Sequence, residues 1–249
     1  MGLLDGKVVI ITGANRGIGR GIVDMFVKEG AQVSLNSRDA AMLEKLAEDI
    51  NANGGKAFAI PGDMGDPKLP DEIVHKTLQH FGSLDVVVSN AGTLERSPTA
   101  DMTLENWHHV MDVNLTGPML LSRAALEYFK GQKKGKVIFI SSVGAKSVNR
   151  NAAPAYGCSK AATTYLMRHL ATEYGSYGIT VNSVLPGFIE TDISKDMSTE
   201  NRNNLMKAIL LGRHGTPTDV AGAVLFFASE LGNYCTGECL DVNGGLHMD

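Results

Sequence analysis

Along the chain, short apolar runs recur between longer stretches in which apolar residues return every three or four positions. The first run, Lys7 to Thr12 (Lys-Val-Val-Ile-Ile-Thr), is β-branched and almost wholly apolar, the pattern of a strand buried on both faces of a parallel sheet. A glycine-rich turn, Gly13-Ala-Asn-Arg-Gly17-Ile-Gly19, follows it, and a helical period then runs from Gly21 to Lys28. The alternation repeats. Strands are predicted at Gln32 to Asn36, Lys56 to Ile60, Leu84 to Ser89, Lys136 to Ser141, Thr180 to Leu185 and Glu238 to Val242. Helices are predicted near Ala40 to Asn53, Asp66 to Phe81, Leu104 to Lys130, Ala155 to Tyr174 and Thr218 to Ser229. Seven strands alternating with helices call for right-handed crossovers, and so for an α/β fold with a doubly wound parallel sheet and helices on both faces. No Pro/Ser-rich linker, repeat or low-complexity tract interrupts the pattern, so residues 1–249 are expected to form one domain. Phe188 to Gly215 is the least regular stretch, polar and rich in Met, a candidate lid over a site at a strand's carboxyl end.

Composition narrows the partners. The 249 residues are 43% apolar, enough for a full core, and the net charge of -4 comes from both signs interspersed. There is no basic stripe for nucleic acid and no polybasic run for a membrane, so a small molecule or another protein is the expected partner. Three cysteines, at 158, 235 and 239, make no disulfide framework and suggest a reducing compartment; Cys235 and Cys239 lack a nearby His pair and read as buried thiols, with no metal expected. The amino terminus has no charged leader region, no apolar run reaches 18 residues, and Gly6 stands where a myristoylation signal needs Ser or Thr. A cytoplasmic location is expected.

The candidate chemistry lies at the carboxyl ends of the predicted strands. Gly13, Gly17 and Gly19 follow a strand and open a helix, where the backbone can turn tightly and the helix amino terminus can face a pyrophosphate. The second strand ends Asn36-Ser37-Arg38, with no acid to hold a ribose 2′-hydroxyl, and Arg16 lies in the glycine turn; the charge pattern favours NADP(H) over NAD(H). Asp63, after the third strand, is a candidate acceptor for an adenine amino group, or else a helix cap. Tyr156 and Lys160 are four apart at the start of a predicted helix and so share a face. An ammonium beside a phenol favours the phenolate and is expected to lower its titration from about 10, giving a general acid/base. Ser142, after the apolar run Val137 to Ile140, can bond the same substrate oxygen.

These motifs, in this order, closely resemble the short-chain dehydrogenase/reductases, a Rossmann-type family. The resemblance runs from Thr12-Gly13-x-x-x-Gly17-x-Gly19 through Asp63, Asn90-Ala91-Gly92, Asn114, Ser142, Tyr156-x-x-x-Lys160 and Pro186-Gly187 to Val242-Asn-Gly-Gly245. It implies that Tyr156 is the acid/base, that Lys160 holds the nicotinamide ribose, that Ser142 positions the substrate oxygen and that Asn114 orders a water for proton relay. It further implies a cofactor lined by Gly13, Asn15, Arg16, Gly17, Ile18 and Gly19 in the first turn, by Ser37, Arg38, Asp63 and Met64 around the adenosine, by Asn90, Ala91 and Gly92 after the fourth strand, and by Pro186, Gly187, Ile189 and Thr191 beside the nicotinamide.

The overall look is most similar to β-ketoacyl-ACP reductases. Those usually carry Arg where Tyr177 precedes Gly178-Ile-Thr-Val-Asn182, so carrier docking would fall to Lys133, Lys134 and Lys136. A steroid, sugar, polyol or small ketone is the alternative substrate, with Asn149, Arg150 and Asn151 as candidate polar contacts. The Ser to Tyr spacing is one longer than in many relatives, which leaves Ser141 or Ser142; Ser142 leads into Val-Gly as the pattern wants. A dinucleotide-binding sensor without turnover is the reading from another class. By resemblance, the helices at Leu104 to Lys130 and Ala155 to Tyr174 are expected to pair between subunits of a homotetramer, although Met119, Leu120, Leu121 and Leu166 can equally pack on the sheet.

Overall fold

A computed structural model describes residues 2–148, 152–191 and 199–248. Seven strands, β1 (Val8–Thr12), β2 (Gln32–Asn36), β3 (Lys56–Ala59), β4 (Val86–Ser89), β5 (Gly135–Ile140), β6 (Ile179–Pro186) and β7 (Cys239–Val242), form one parallel sheet in the order β3-β2-β1-β4-β5-β6-β7. Alternation along β1 shows why its run is apolar throughout: Val9 and Ile11 enter one core, Val8 and Ile10 the other. The first core is closed by α1 (Gly17–Lys28), α2 (Ala40–Ala52) and α8 (Pro217–Ala228), through Phe26, Leu43 and Phe227. The second is closed by α3 (Leu69–Phe81), α5 (Gly117–Gln132) and α6 (Pro154–Tyr174), through Ile73, Phe129 and Met167. The edge of β3 is covered by a side chain, because Asn51 donates to Ala57 O at 2.9 Å and accepts from Ala57 N at 2.8 Å.

The helix expected over Leu104 to Lys130 is two helices, α4 (Leu104–Met111) and α5, joined by a wider turn at Asp112–Thr116. The cause is Pro118. In a continuous helix its missing N–H would leave the Asn114 carbonyl unpaired and its ring would press on that carbonyl. The chain widens instead, and Gly117 N–H reaches back five residues to Asp112 O. The freed Asn114 carbonyl accepts from Thr163 Oγ1 of α6 at 3.1 Å. A further helix, α7 (Thr199–Ala208), occupies part of the stretch expected to be irregular. The beginnings of α1 and α3 also differ from expectation, since the second half of the glycine turn is itself the first turn of α1 and Asp66 turns the chain onto Lys68 N before α3 begins.

The parallel order brings the carboxyl ends of β1 and β4 side by side, where the strand order reverses. Cys235 packs against one core and Cys239 against the other, both partly exposed rather than buried as expected, and all three cysteines are free. Among the described residues no helix is long and apolar enough to cross a membrane.

Gly117 is fixed by space as well as by the turn: a Cβ there would overlap the carbonyl oxygen of Met64. Gly117→Ala should therefore destabilise the protein by about 2 kcal/mol through overpacking and lower its thermal midpoint by several degrees in calorimetry. An unchanged midpoint would show that the wide turn tolerates a methyl group.

Candidate active site

The groove begins where β1 meets β4. Thr12 Oγ1 accepts from Asn90 N and Ala91 N, each at 3.0 Å, and Asn90 Nδ2 donates to Thr12 O at 2.9 Å and Gly13 O at 3.2 Å. This clamp leaves no room beside Gly13, where a Cβ would stand 2.9 Å from Asn90 Nδ2 with φ already at +65°. Gly17 has φ +55°, and a Cβ on it would lie 3.3 Å from Thr191 Cγ2. The glycine turn is thus faced directly by the loop after β6. That loop is tied down at both ends, by Gly187 N to Val242 O at 3.0 Å and by Gly215 N to Phe188 O at 3.0 Å. Ile189 bridges Gly215 and packs in the core.

The amino terminus of α1 suits an anion. Its capping residue, Arg16, makes no side-chain cap and its first turn holds no acid, as at α5 and α6, but α1 alone of these three begins in the glycine turn after β1. Arg16 is exposed, Asn15 partly buried, and Ile18 packs on the core. At the end of β2, Asn36 is engaged by Ile60 O and Gly62 O and Ser37 is buried. Arg38 lies 3.8 Å from Asp63, half exposed, and not against Asp39, whose carboxylate accepts from Met42 N at 3.0 Å. Asp63 caps no helix; its Oδ1 accepts from Gly65 N at 2.9 Å. Met64 sends its side chain into the core.

On the other side of the groove, the end of β5 and the start of α6 exchange two bonds. Lys160 Nζ donates to Ile140 O at 2.8 Å, and Ser141 Oγ donates to Lys160 O at 3.0 Å. Ser141 is thereby occupied, while Ser142 Oγ accepts from Gly144 N at 3.0 Å and lies beside the Tyr156 hydroxyl. Of the two candidate serines only Ser142 meets the tyrosine. The Lys160 ammonium stands 5.9 Å from the Tyr156 ring centroid, and a Cβ on Gly92 would lie 3.5 Å from that nitrogen and 3.4 Å from Asn114 Oδ1. Tyr156, Lys160, Asn114 and Gly92 therefore face one space.

Asn114 is buried, and both polar atoms of its side chain are bonded. Its Oδ1 accepts from Thr93 N at 2.8 Å, and its Nδ2 donates to Thr93 O at 3.0 Å and Ser159 Oγ at 3.1 Å. Ser159 in turn donates to Tyr156 O at 2.8 Å, so Asn114 braces the first turn of α6. Thr93, expected from the sequence to begin a substrate-contacting stretch to Ser97, is bound to Asn114 through its backbone, and Ser159 was not singled out from the sequence. Ser159 could have been, since it stands three residues from Tyr156 on the helix.

The phenol does not titrate low, as its lysine neighbour suggested. Burial raises its pKa, and the Ser142 hydrogen bond only partly opposes that. The ammonium bonds a main-chain carbonyl and stands over the ring, and its own pKa is lowered by burial to about 8. Lys160 has one acceptor among the described residues, so two of its three donors have none. Among those residues no cluster of three or more His, Cys, Asp or Glu is placed to hold a metal ion. Asn149, Arg150 and Asn151 lie outside the described residues.

Lys133, Lys134 and Lys136 stand at the opposite end of β5 from Ser142, about 20 Å away at some 3.3 Å per residue. Lys136 Nζ is held by Phe227 O at 3.1 Å and Ser229 O at 3.0 Å at the end of α8. Within one chain these lysines cannot flank the groove. Lys130 lies 5.1 Å over the Tyr177 ring at that same end.

Comparison with known proteins extends the picture. The profile of a family described as Enoyl-(Acyl carrier protein) reductase matches residues 13–247. The chain is 35% identical to the 3-oxoacyl-(acyl-carrier-protein) reductase FabG of Vibrio cholerae over 98% of its own length and 99% of the relative's. It is 37% identical to the protein of the same name from Staphylococcus aureus, over 97% and 98%. A crystal structure of 3-oxoacyl-(acyl-carrier protein) reductase from Brucella melitensis superposes with a TM-score of 0.93 at 32% identity, covering 99% of this chain and 93% of that one. Sheet order, motif order and near full-length similarity agree, and the chain belongs to the short-chain dehydrogenase/reductase family, oxidoreductases acting on a ketone or secondary alcohol.

Proposed function

We propose that the protein interconverts a ketone and a secondary alcohol with NADP(H), Tyr156 acting as general acid/base and a 3-oxoacyl group as substrate. The observation that carries this reading is the convergence of Ser142, Tyr156 and Lys160 on the space beside Gly92. The bound cofactor supplies or accepts the hydride at the substrate carbon. In reduction, the Tyr156 hydroxyl gives its proton to the carbonyl oxygen while Ser142 donates a hydrogen bond to the same oxygen, so negative charge developing there is met by two donors. Lys160, anchored through one N–H to Ile140 O, offers its remaining donors to the ribose hydroxyls. Asn114 keeps the first turn of α6, and with it Tyr156, in place through Ser159; ordering a relay water is the further role proposed for it.

The cofactor would lie with its pyrophosphate on the uncapped start of α1, over Gly13, Gly17 and Gly19, its adenosine by Ser37, Arg38, Asp63 and Met64, and its nicotinamide between Asn90 to Gly92 and Pro186 to Thr191. Preference for the 2′-phosphate is supported by Arg38 and Arg16 and by the acid next to Arg38 being taken up as a helix cap. The loose 3.8 Å pairing of Arg38 with Asp63 leaves the guanidinium free to exchange a carboxylate for a phosphate. The 3-oxoacyl substrate is supported by the names of the relatives, while Tyr177 and the remote Lys133, Lys134 and Lys136 take these four positions out of carrier docking at the groove of the same chain. Assembly into a homotetramer belongs to the same proposal and is supported by Leu104 on α4 and Tyr165 on α6, both over two-thirds exposed; Leu121, by contrast, is in the core.

Tyr156→Phe should lower kcat for ketone reduction by about 10²- to 10⁴-fold, followed as NADPH oxidation with acetoacetyl thioesters and a ketone panel; turnover near that of the parent would remove Tyr156 from the chemistry. Because burial keeps the phenol protonated through neutral pH, reduction should be at full rate near neutrality, and alcohol oxidation, which needs the phenolate, should climb with rising pH. A level oxidation profile from about pH 6 to about pH 10 would contradict that. Parent enzyme should favour NADPH over NADH in kcat/KM, and Arg38→Asp should cut the ratio by about tenfold or more, with a parent preference for NADH as the refuting result.

A further inference from the structure

The turn that carries Ser142 behaves as one small rigid unit. Ser142 Oγ accepts from Gly144 N at 3.0 Å, Ala145 N donates to Ser142 O at 2.9 Å, and Lys146 N donates to Val143 O at 3.0 Å. One side of the unit rests on α6, where the Gly144 carbonyl lies 3.5 Å from the position a Cβ would take on Gly157, in the turn just after Tyr156. The far end is held elsewhere. Lys146 Nζ donates to Asp241 Oδ2 on β7 at 2.6 Å, across 95 residues of sequence, with the two side chains only 17% and 21% exposed. Leu240 and Val242 pack into the core that contains α8, so strand alternation turns Asp241 to the opposite face, toward α6 and the serine turn. The next residue, Val242, accepts from Gly187 N, at the base of the loop that faces the glycine turn.

We propose that Lys146 and Asp241 form a positioning pair that fixes the Ser142 hydroxyl relative to Tyr156 by tying the serine turn to β7. An exposed ion pair adds little, but this one is mostly shielded from water, and the Asp241 Oδ1 atom is buried with no partner among the described residues. Lys146 is therefore the group among the described residues that compensates this carboxylate; removing it leaves a poorly solvated charge on Asp241, and removing Asp241 releases the tie of the turn to β7. Displacement of a positioned donor by a fraction of an ångström to an ångström is enough to slow a reaction without abolishing binding. The pair acts on the oxygen of the substrate through Ser142.

The inference rests on the reading of Ser142 as the group that bonds the substrate oxygen, and the experiment separates the two. Lys146→Met and Asp241→Asn should each lower kcat for ketone reduction roughly tenfold with the NADPH Kd, measured by fluorescence, unchanged, while Lys146→Arg, which keeps the charge, should retain most activity. In a Ser142→Ala background, where the hydroxyl to be positioned is gone, Lys146→Met should have no further effect on kcat. A loss that multiplies in that background, a parallel loss of NADPH binding, or a kcat within twofold of the parent for both single variants would overturn the pair's role. If Ser142→Ala alone leaves kcat unchanged, the serine reading itself fails. Should a single variant not fold, Lys146→Met/Asp241→Asn, which leaves no lone charge, takes its place in the same comparison.

Discussion

A buried ammonium sets the layout of the groove. Lys160 has one acceptor among the described residues, the carbonyl of Ile140, the last residue of β5. An ammonium so placed is costly unless the surrounding geometry holds its acceptor still. The sheet provides that: Ile140 is paired with Val184 in the interior of the sheet, and Ser141, one residue on, returns a hydrogen bond from its hydroxyl to the carbonyl of Lys160. The strand end and the helix are thus locked by reciprocal bonds. Tyr156 lies one turn before Lys160, so the same lock fixes the phenol, and the next residue of the strand exit, Ser142, arrives beside its hydroxyl.

The other wall is built by a different device for the same reason. Thr12 and Asn90 join the ends of β1 and β4 with four hydrogen bonds, and both partners sit at the strand-order reversal, where two adjacent strand ends diverge into helices on opposite faces. That junction holds the glycine turn against the sheet and places Gly92 so that a Cβ on it would touch Lys160 and Asn114. Asn114 is available there because Pro118 broke the helix. A regular helix through residues 104–130 would have turned it differently, and the widening that accommodates the proline also frees the carbonyl that binds Thr163.

The strands were legible because a sheet buried on both faces demands uninterrupted β-branched runs, and β2 was predicted to the residue. The ordered motifs, read as a family resemblance, marked the residues that converge on the groove. What escaped was whatever depends on distance in sequence or on the balance of two opposing terms. Nothing local shows that Asn114 braces Tyr156 through Ser159, or that Lys146 will meet Asp241. Pro118 was in view, yet its effect required knowing that the residues on both sides stay helical. The polar helix α7 lacks the apolar stripe by which the others were recognised. Lys133, Lys134 and Lys136 looked like docking charges because charge is visible in sequence, whereas the end of the sheet on which it lies is not.

The titration of the tyrosine is the sharpest of these cases, because sequence proximity gave the neighbour correctly and the sign incorrectly. Four residues of helix bring an ammonium to the phenol, but the same packing removes water from both. Burial disfavours each charged form, raising the tyrosine and lowering the lysine to about 8, so the two proton affinities, nearly equal in the free groups, move apart. At neutral pH the outcome is a neutral hydroxyl beside a protonated amine. In the proposed reaction that is the arrangement ketone reduction needs at its start, a proton on the phenol and positive charge behind it. Departure of the proton then creates a phenolate whose charge the nearby ammonium favours, so that stabilisation is greatest after the transfer has begun and smallest before it.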